Sequence, residues 1–190
     1  MHDTARLLEA AAALSQLLRA SNVPHAFYGS IFAAVMSNNP YTEDIYCIVE
    51  GGLSHPFRRV RQAVSGSHVV TTVASPWCNR LHTIYHGFIP PIEIEILPAG
   101  EEGPRHLDAN TTTTIRGIPF LSITEFLRAK VKMWTSRRSE QDAQDICYVV
   151  ARYWNRVDYN RIPEDDMNNF SKRYPSVAPA WASIKRKYGS

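Results

Sequence analysis

The chain has little that would commit it to a special environment. It holds three cysteines, Cys47, Cys78 and Cys147, an odd number set far apart, with no pair at metal-ligand spacing. That argues against a disulfide framework or a cysteine-built zinc site and predicts reduced thiols in a cytoplasmic protein. No window approaches the roughly 18 uninterrupted apolar residues that a membrane span needs, so no membrane segment is expected. The opening MHDTARLLEA carries an acid early and lacks an apolar run, unlike a secretory signal. Neither sign of charge dominates: 21 Lys and Arg against 18 Asp and Glu leave a net charge of +3. Such a balance, without a concentrated basic face, makes nucleic acid an unexpected partner. The densest basic cluster, Lys185 to Lys187, falls in the last turn of an expected helix, where it complements the helix dipole. Repeats are missing, and the one low-complexity tract is the run of threonines at 111 to 114.

What remains is ordinary globular composition: 190 residues, 44% hydrophobic and 21% charged. A chain of this length buries about 70% of its unfolded surface and needs no staple. One domain, or one domain with a helical appendage, is expected. Asp3-Thr4 can cap a helix through ARLLEAAAALSQLLRAS, with Leu7, Ala11, Leu14 and Leu18 at helical spacing. VPHAFYGS is a short extended piece, IFAAVMS a brief helix and NNPY a turn. EDIYCIVEGG reads as a strand beginning at its acidic end. A helix over 54–64, extended segments at 68–73 and 80–87, and the alternating PIEIEILPAG follow, with Ile92, Ile94 and Ile96 facing one way and Glu93 and Glu95 the other. TTTTIRGIPF reads as one more extended segment. Ser122 and Glu125 have the spacing of a capping box ahead of a long helix. QDAQDICYVVARYWNR and two shorter helices, near 163–173 and 177–188, complete the chain. The predicted architecture is α+β, a small mixed sheet flanked by helices over residues 1–118 and a helical C-terminal part over 119–190.

Three features carry chemistry together. Gly29-Ser30 opens a short helix whose amides and hydroxyl suit an anion. Asp44 follows fourteen positions after Ser30, with Tyr46 on the same face by the two-residue period. Glu95 stands on the polar side of a later strand. Carboxylates gathered from neighbouring strands are the usual way to hold Mg²⁺ for phosphoryl chemistry. Aromatic residues crowd the segments that feed this region: Phe27, Tyr28, Tyr41, Tyr46, Trp77, Tyr85 and Trp134. His82 and His86 share a strand face but lie about 13 Å apart by strand rise, too far for one zinc ion. Cys47 falls opposite Asp44 and Tyr46, among core positions.

Gly29-Ser30, Thr42-x-Asp44-x-Tyr46 and IEIEILPAG in this order resemble the nucleotidyltransferase fold of the DNA polymerase β type, and more closely the AbiEii-like toxins and their fungal relatives. The resemblance extends to Lys130 and Arg137 in KVKMWTSR and to Asp142 and Asp145 in QDAQD, and spans residues 23 to 150. It implies a cleft between Gly29-Ser30, the Asp44 strand, Glu95 and the Lys130 helix. In such a cleft Asp44 and Glu95 would be metal ligands for Mg²⁺ and a nucleoside triphosphate, with Ser30 and Lys130 on the phosphates. By themselves, Arg137, Asp142 and Asp145 read as a structural ion-pair set between two helices, with a direct ligand role as the alternative.

The departures from the pattern point elsewhere. Pro40 stands where the family has Arg, and Tyr46 where it has the second metal-binding Asp. A phenol with pKa near about 10 is neutral at pH 7 and a poor Mg²⁺ ligand, and the two-metal geometry needs that middle acid. The expectation is therefore a metal-independent and cofactor-independent enzyme using the cleft for a small, largely apolar organic substrate. A cyclase or isomerase of the kind found in secondary metabolism fits. Asp44, Tyr46, Glu95 and Lys130 are its candidate catalytic residues, and Tyr28, Ser30, Tyr85 and Trp134 its substrate contacts. The alternatives are a Mg²⁺-dependent nucleotidyltransferase acting on a small molecule, RNA or protein, and a catalytically silent module that binds nucleotide or a partner. Substrate, pathway and oligomeric state are not written in the residues.

Overall fold

The computed structural model of the chain describes residues 1–75 and 79–189. Trp77 and Cys78, both singled out above, lie outside the described residues. The chain divides into two compact units, Met1–Leu121 and Ser122–Ser190.

In the first unit Asp3 accepts the Arg6 N–H at 3.1 Å and starts helix α1, Thr4–Ala20. Leu7, Ala11, Leu14 and Leu18 form its buried stripe, as their spacing predicts. Just before it, β1 (His2–Asp3) pairs with β3 (Tyr41–Thr42) in a two-stranded ribbon. The main sheet holds seven strands among the described residues: β2 (His25–Tyr28), β4 (Tyr46–Val49), β5 (Val70–Ala74), β6 (Leu81–Tyr85), β7 (Ile92–Pro98), β8 (Thr112–Ile115) and β9 (Ile118–Leu121). Their order is β5-β6-β7-β4-β2-β9-β8. The β4–β7 and β2–β9 pairs are parallel and the others antiparallel, so the sheet is mixed. Helices α2 (Ser30–Met36) and α3 (Pro56–Val64) complete the unit.

Burial separates the two faces. Leu81, Ile96, Cys47, Phe27 and Phe120 are successive cross-strand partners, and every one is at most 1% exposed. Each large apolar side chain in that row contributes about 1.5–3 kcal/mol by leaving water. Helix α1 packs against β2, β6, β7 and β9, and α3 against β4, β5 and β7. On the other face the loop after β7 covers Ile48. Gly103 in that loop takes a φ of 72°, which side chains rarely adopt, and a Cβ there would also press on the Ile48 Cδ1 carbon at 2.8 Å.

Two elements differ from the sequence reading. TTTTIRGIPF folds as a hairpin, β8 and β9, because Arg116 and Gly117 both take positive φ (53° and 78°) in the turn. The strand expected to begin with Asp44 begins at Tyr46, because Asp44 bonds to a helix instead of a strand.

The second unit is helical: α4 (Ile123–Arg137), α5 (Glu140–Tyr153), α6 (Glu164–Arg173) and α7 (Ala178–Gly189), joined by short 3-10 turns. Ser122 accepts the Glu125 N–H at 3.3 Å, which is half of the expected capping box. The Glu125 carboxylate is bound by Arg161 at 2.6 and 3.0 Å. Trp134 sits 2% exposed in this unit's aromatic core, 4.9 Å from the Phe170 ring and 6.1 Å from the Tyr174 ring. Among the described residues no helix is long and apolar enough to cross a membrane.

Candidate functional site

Four polar or aromatic side chains share the second face of the sheet in a single row. His82 pairs with Glu95, Glu95 with Tyr46 and Tyr46 with Tyr28, across β6, β7, β4 and β2. Partners on adjacent strands lie about 4.8 Å apart in the pairing direction, so the row runs about 14 Å. Tyr46 occupies its middle, its ring 6.1 Å from that of Tyr28 and tilted by 30°. The parity of the strands dictates this arrangement, since residues directly opposite each other point to the same side.

Asp44 joins the row through α2. The Ser30 N–H donates to Asp44 Oδ1 at 2.6 Å, and the Ile31 N–H to the Asp44 carbonyl at 3.2 Å. Asp44 thus satisfies two amides at the start of α2, one through its carboxylate and one through its backbone carbonyl, at the place where the sequence suggested a phosphate. Gly29 makes the approach possible. Its φ of 120° disfavours any side chain, and a Cβ there would lie 2.6 Å from Asp44 Oδ1 and 3.3 Å from the Tyr46 ring. Gly29, Ser30, Asp44 and Tyr46 are therefore one local unit built on two chain segments fourteen residues apart.

A groove of about 320 Å³ opens over Asp44, Tyr46, His82 and Glu95, with Glu43, Glu93, His2 and the Pro90–Pro91 segment on its rim. Among the described residues, four carboxylates and no Lys or Arg line it. Glu95 is 17% exposed and lies 3.5 Å from the Arg80 guanidinium, which holds it from the side away from Tyr46's strand. The residues do not fit a two-ion centre. The middle position is a phenol, one Asp44 oxygen accepts from α2, and Glu95 has an arginine partner. Among the described residues no three His, Cys, Asp or Glu side chains converge on a common point where an ion could bind. Cys47, on the buried face, has its thiol pushed well up by burial and stays protonated at neutral pH.

The sequence-derived candidates divide three ways. Tyr28, Ser30, Asp44, Tyr46 and Glu95 are brought together. Tyr85 is not: it pairs with Ile92, on the face opposite Tyr46, and its hydroxyl donates to Glu9 of α1 at 2.8 Å. That bond to a carboxylate raises the phenol's pKa. Lys130 and Trp134 belong to the second unit. Lys130 is wholly buried there, its ammonium 2.9 Å from Asp142 and 3.1 Å from Asp145. Arg137 adds a fork to Asp142 at 2.6 and 2.8 Å, and Gln141 donates to Asp145 at 2.9 Å. Burial alone would push the Asp142 carboxyl up, but the bonds from Arg137 and Lys130 outweigh it and hold it below its ordinary range. The Lys130, Arg137, Asp142 and Asp145 set is an ion-pair network linking α4 to α5. His82 and Arg80 were not among the sequence-derived site residues. The period of two along LHTIY sets His82 and Ile84 on the side opposite Leu81, Thr83 and Tyr85, but only the β6–β7 register sets His82 beside Glu95.

No family model matches the chain, and no curated protein does. Solved structures do. The chain is similar to an antigenic nucleotidyltransferase-like protein from Paracoccidioides brasiliensis (TM-score 0.67, 15% identity, 94% of this chain and 93% of that one). It is also similar to JHP933 from Helicobacter pylori (TM-score 0.53, 14% identity, 95% and 82%). A third likeness is to ANT(2″)-Ia in complex with adenylyl-2″-tobramycin (TM-score 0.52, 10% identity, 85% and 94%). At these identities the likenesses show a nucleotidyltransferase-like fold.

Proposed function

We propose that the chain keeps a nucleotidyltransferase-like framework but acts without a resident metal or cofactor, cyclising or isomerising a small, largely apolar organic molecule. The observation that carries this reading is Tyr46 in the middle of the row, beside Glu95, where an anion would be needed to bridge two ions. The acidic lining of the groove supports it, since carboxylates without lysine or arginine repel a triphosphate. In the proposed reaction Glu95 accepts a proton from a carbon next to a carbonyl. The Tyr46 phenol donates a hydrogen bond to the carbonyl oxygen as negative charge builds there. Return of the proton at a different carbon completes an isomerisation with no co-reactant. A placed acid and base contribute about 10²–10⁴-fold each, and a donor at the developing oxyanion a similar amount. Asp44 positions Tyr46 by tying β4's entry to α2, and Tyr28 forms the wall behind the phenol. Lys130 and Trp134 act in this reading only by holding the second unit together.

A second reading has two observations in its favour: Asp44 and Glu95 are both carboxylates, and a fold neighbour carries an adenylylated aminoglycoside. It makes the chain a Mg²⁺-dependent nucleotidyltransferase. Titration calorimetry with Mg²⁺ and each nucleoside triphosphate tests the choice. The proposal expects no heat of binding. Binding of any triphosphate, followed by release of pyrophosphate with an acceptor present, sinks it in favour of the second reading, and binding without release indicates a silent nucleotide-binding module.

A further inference from the structure

A second groove, about 550 Å³, lies beside α3. Its apolar surface comes from Phe57, Leu97 and Pro98. Arg58 and Arg61, one helical turn apart on α3, supply cations, and Glu101 and Glu102, in the turn after β7, supply anions. All four charged residues are exposed. None of the four side chains forms an ion pair or hydrogen bond within the described residues, although opposite charges line one groove. Arg59, between the two arginines, is used differently, donating to the Glu50 and Asn22 carbonyls at 2.9 and 3.1 Å.

We propose that this groove binds a zwitterionic ligand of short-peptide type, its carboxylate on Arg58 and Arg61 and its ammonium on Glu101 and Glu102. The two pairs of charges belong to different elements and do not close on each other, so a molecule bearing both charges gains from both walls. A polyanion meets repulsion from Glu101, Glu102 and Glu95, and a polycation from the three arginines, Arg80 included. A dipeptide separates its two charges more than a free amino acid does, and its side chains meet Phe57, Leu97 and Pro98. The groove volume falls within the roughly 300–1,000 Å³ typical of small-molecule sites. The proposal does not rest on the chemistry assigned to Tyr46, since none of its four charged residues lines that groove; among the described residues Glu95 alone borders both.

The test uses the full chain and the dipeptide phenylalanyl-leucine, free, N-acetylated or C-amidated, with binding followed by saturation-transfer NMR. Removing either terminal charge is expected to weaken binding about fivefold, the upper range for an exposed ion pair. In the Arg58→Gln/Arg61→Gln variant amidation should no longer matter while acetylation still does. In the Glu101→Gln/Glu102→Gln variant the pattern should reverse. All four positions are exposed, and α3 is anchored by Pro56, Val60 and Val64, so both variants should melt with the parent. Equal binding of free and capped peptides, or variants that weaken all three ligands alike, overturns the proposal. So does absence of binding to the parent chain.

Discussion

Placing an acid at position 46 is the sharpest perturbation of the row. In Tyr46→Asp the new carboxylate faces Glu95, its partner on the adjacent parallel strand, with β-carbons about 5 Å apart. Two charges at that distance repel by about 1–3 kcal/mol for effective dielectric constants between roughly 80 and 20. Glu95 is only 17% exposed, which favours the upper part of that range, while Arg80 at 3.5 Å offsets some of it. Loss of the contact with the Tyr28 ring costs about 0.5–1.5 kcal/mol more. The neutral Tyr46→Asn variant loses the same ring contact without the charge, so the Asp–Asn difference isolates the repulsion. Thermal unfolding should show Tyr46→Asp melting below Tyr46→Asn by about 2–4 °C per kcal/mol. That gap should narrow as pH falls into the carboxylate range, and narrow again when millimolar Mg²⁺ is added at neutral pH. If the two variants melt together at neutral pH without Mg²⁺, position 46 does not look onto Glu95 and the electrostatic reasoning fails.

Two other outcomes follow from buried polar groups. Lys130→Met removes the cation between Asp142 and Asp145, both of which are buried. Leaving carboxylates uncompensated should cost about 3–5 kcal/mol, read by urea denaturation; a loss under 1 kcal/mol would mean that Arg137 and Gln141 suffice. His25 gives a pH dependence. Its Nδ1 donates to the Val23 carbonyl and its Nε2 accepts from the Ser15 hydroxyl, each at 2.8 Å. Burial lowers its pKa in spite of the Val23 bond, so the unfolded chain takes the proton first as pH drops. Stability is then complete above about 6.5 and falls by up to about 1.4 kcal/mol per pH unit toward the depressed folded value. Denaturation midpoints between pH 7 and 5 should slope accordingly and flatten in His25→Asn. An unchanged slope in that variant would remove His25 as the cause.

Much of this architecture was legible from residue patterns. The leucine stripe of α1 and the alternation in IEIEILP each follow from a local period that any partner would respect. What could not be read came from relations between distant segments. Arg116 is a poor advertisement for a turn of positive φ, so the threonine run concealed a hairpin. Asp44 has the look of a strand residue, and only the missing Cβ of Gly29, on another segment, reveals why it bonds to a helix. Aromatic character groups Tyr85 with Tyr46, while strand parity sends the two rings to opposite faces. Trp134 and Lys130 resemble ligand contacts in isolation, yet one is core and the other is neutralised by acids twelve and fifteen residues on. The charges of the α3 groove are not legible in the sequence because Arg58 and Arg61 are separated from Glu101 and Glu102 by some forty positions, and no run of like charge marks either side.

The bond between Ser30 and Asp44 fastens the opening of a two-turn helix to the entry of a strand fourteen positions on. Whatever tugs on one of these pieces is felt by the other, so the Gly29 turn and the approach to Tyr46 stand or slacken as a pair.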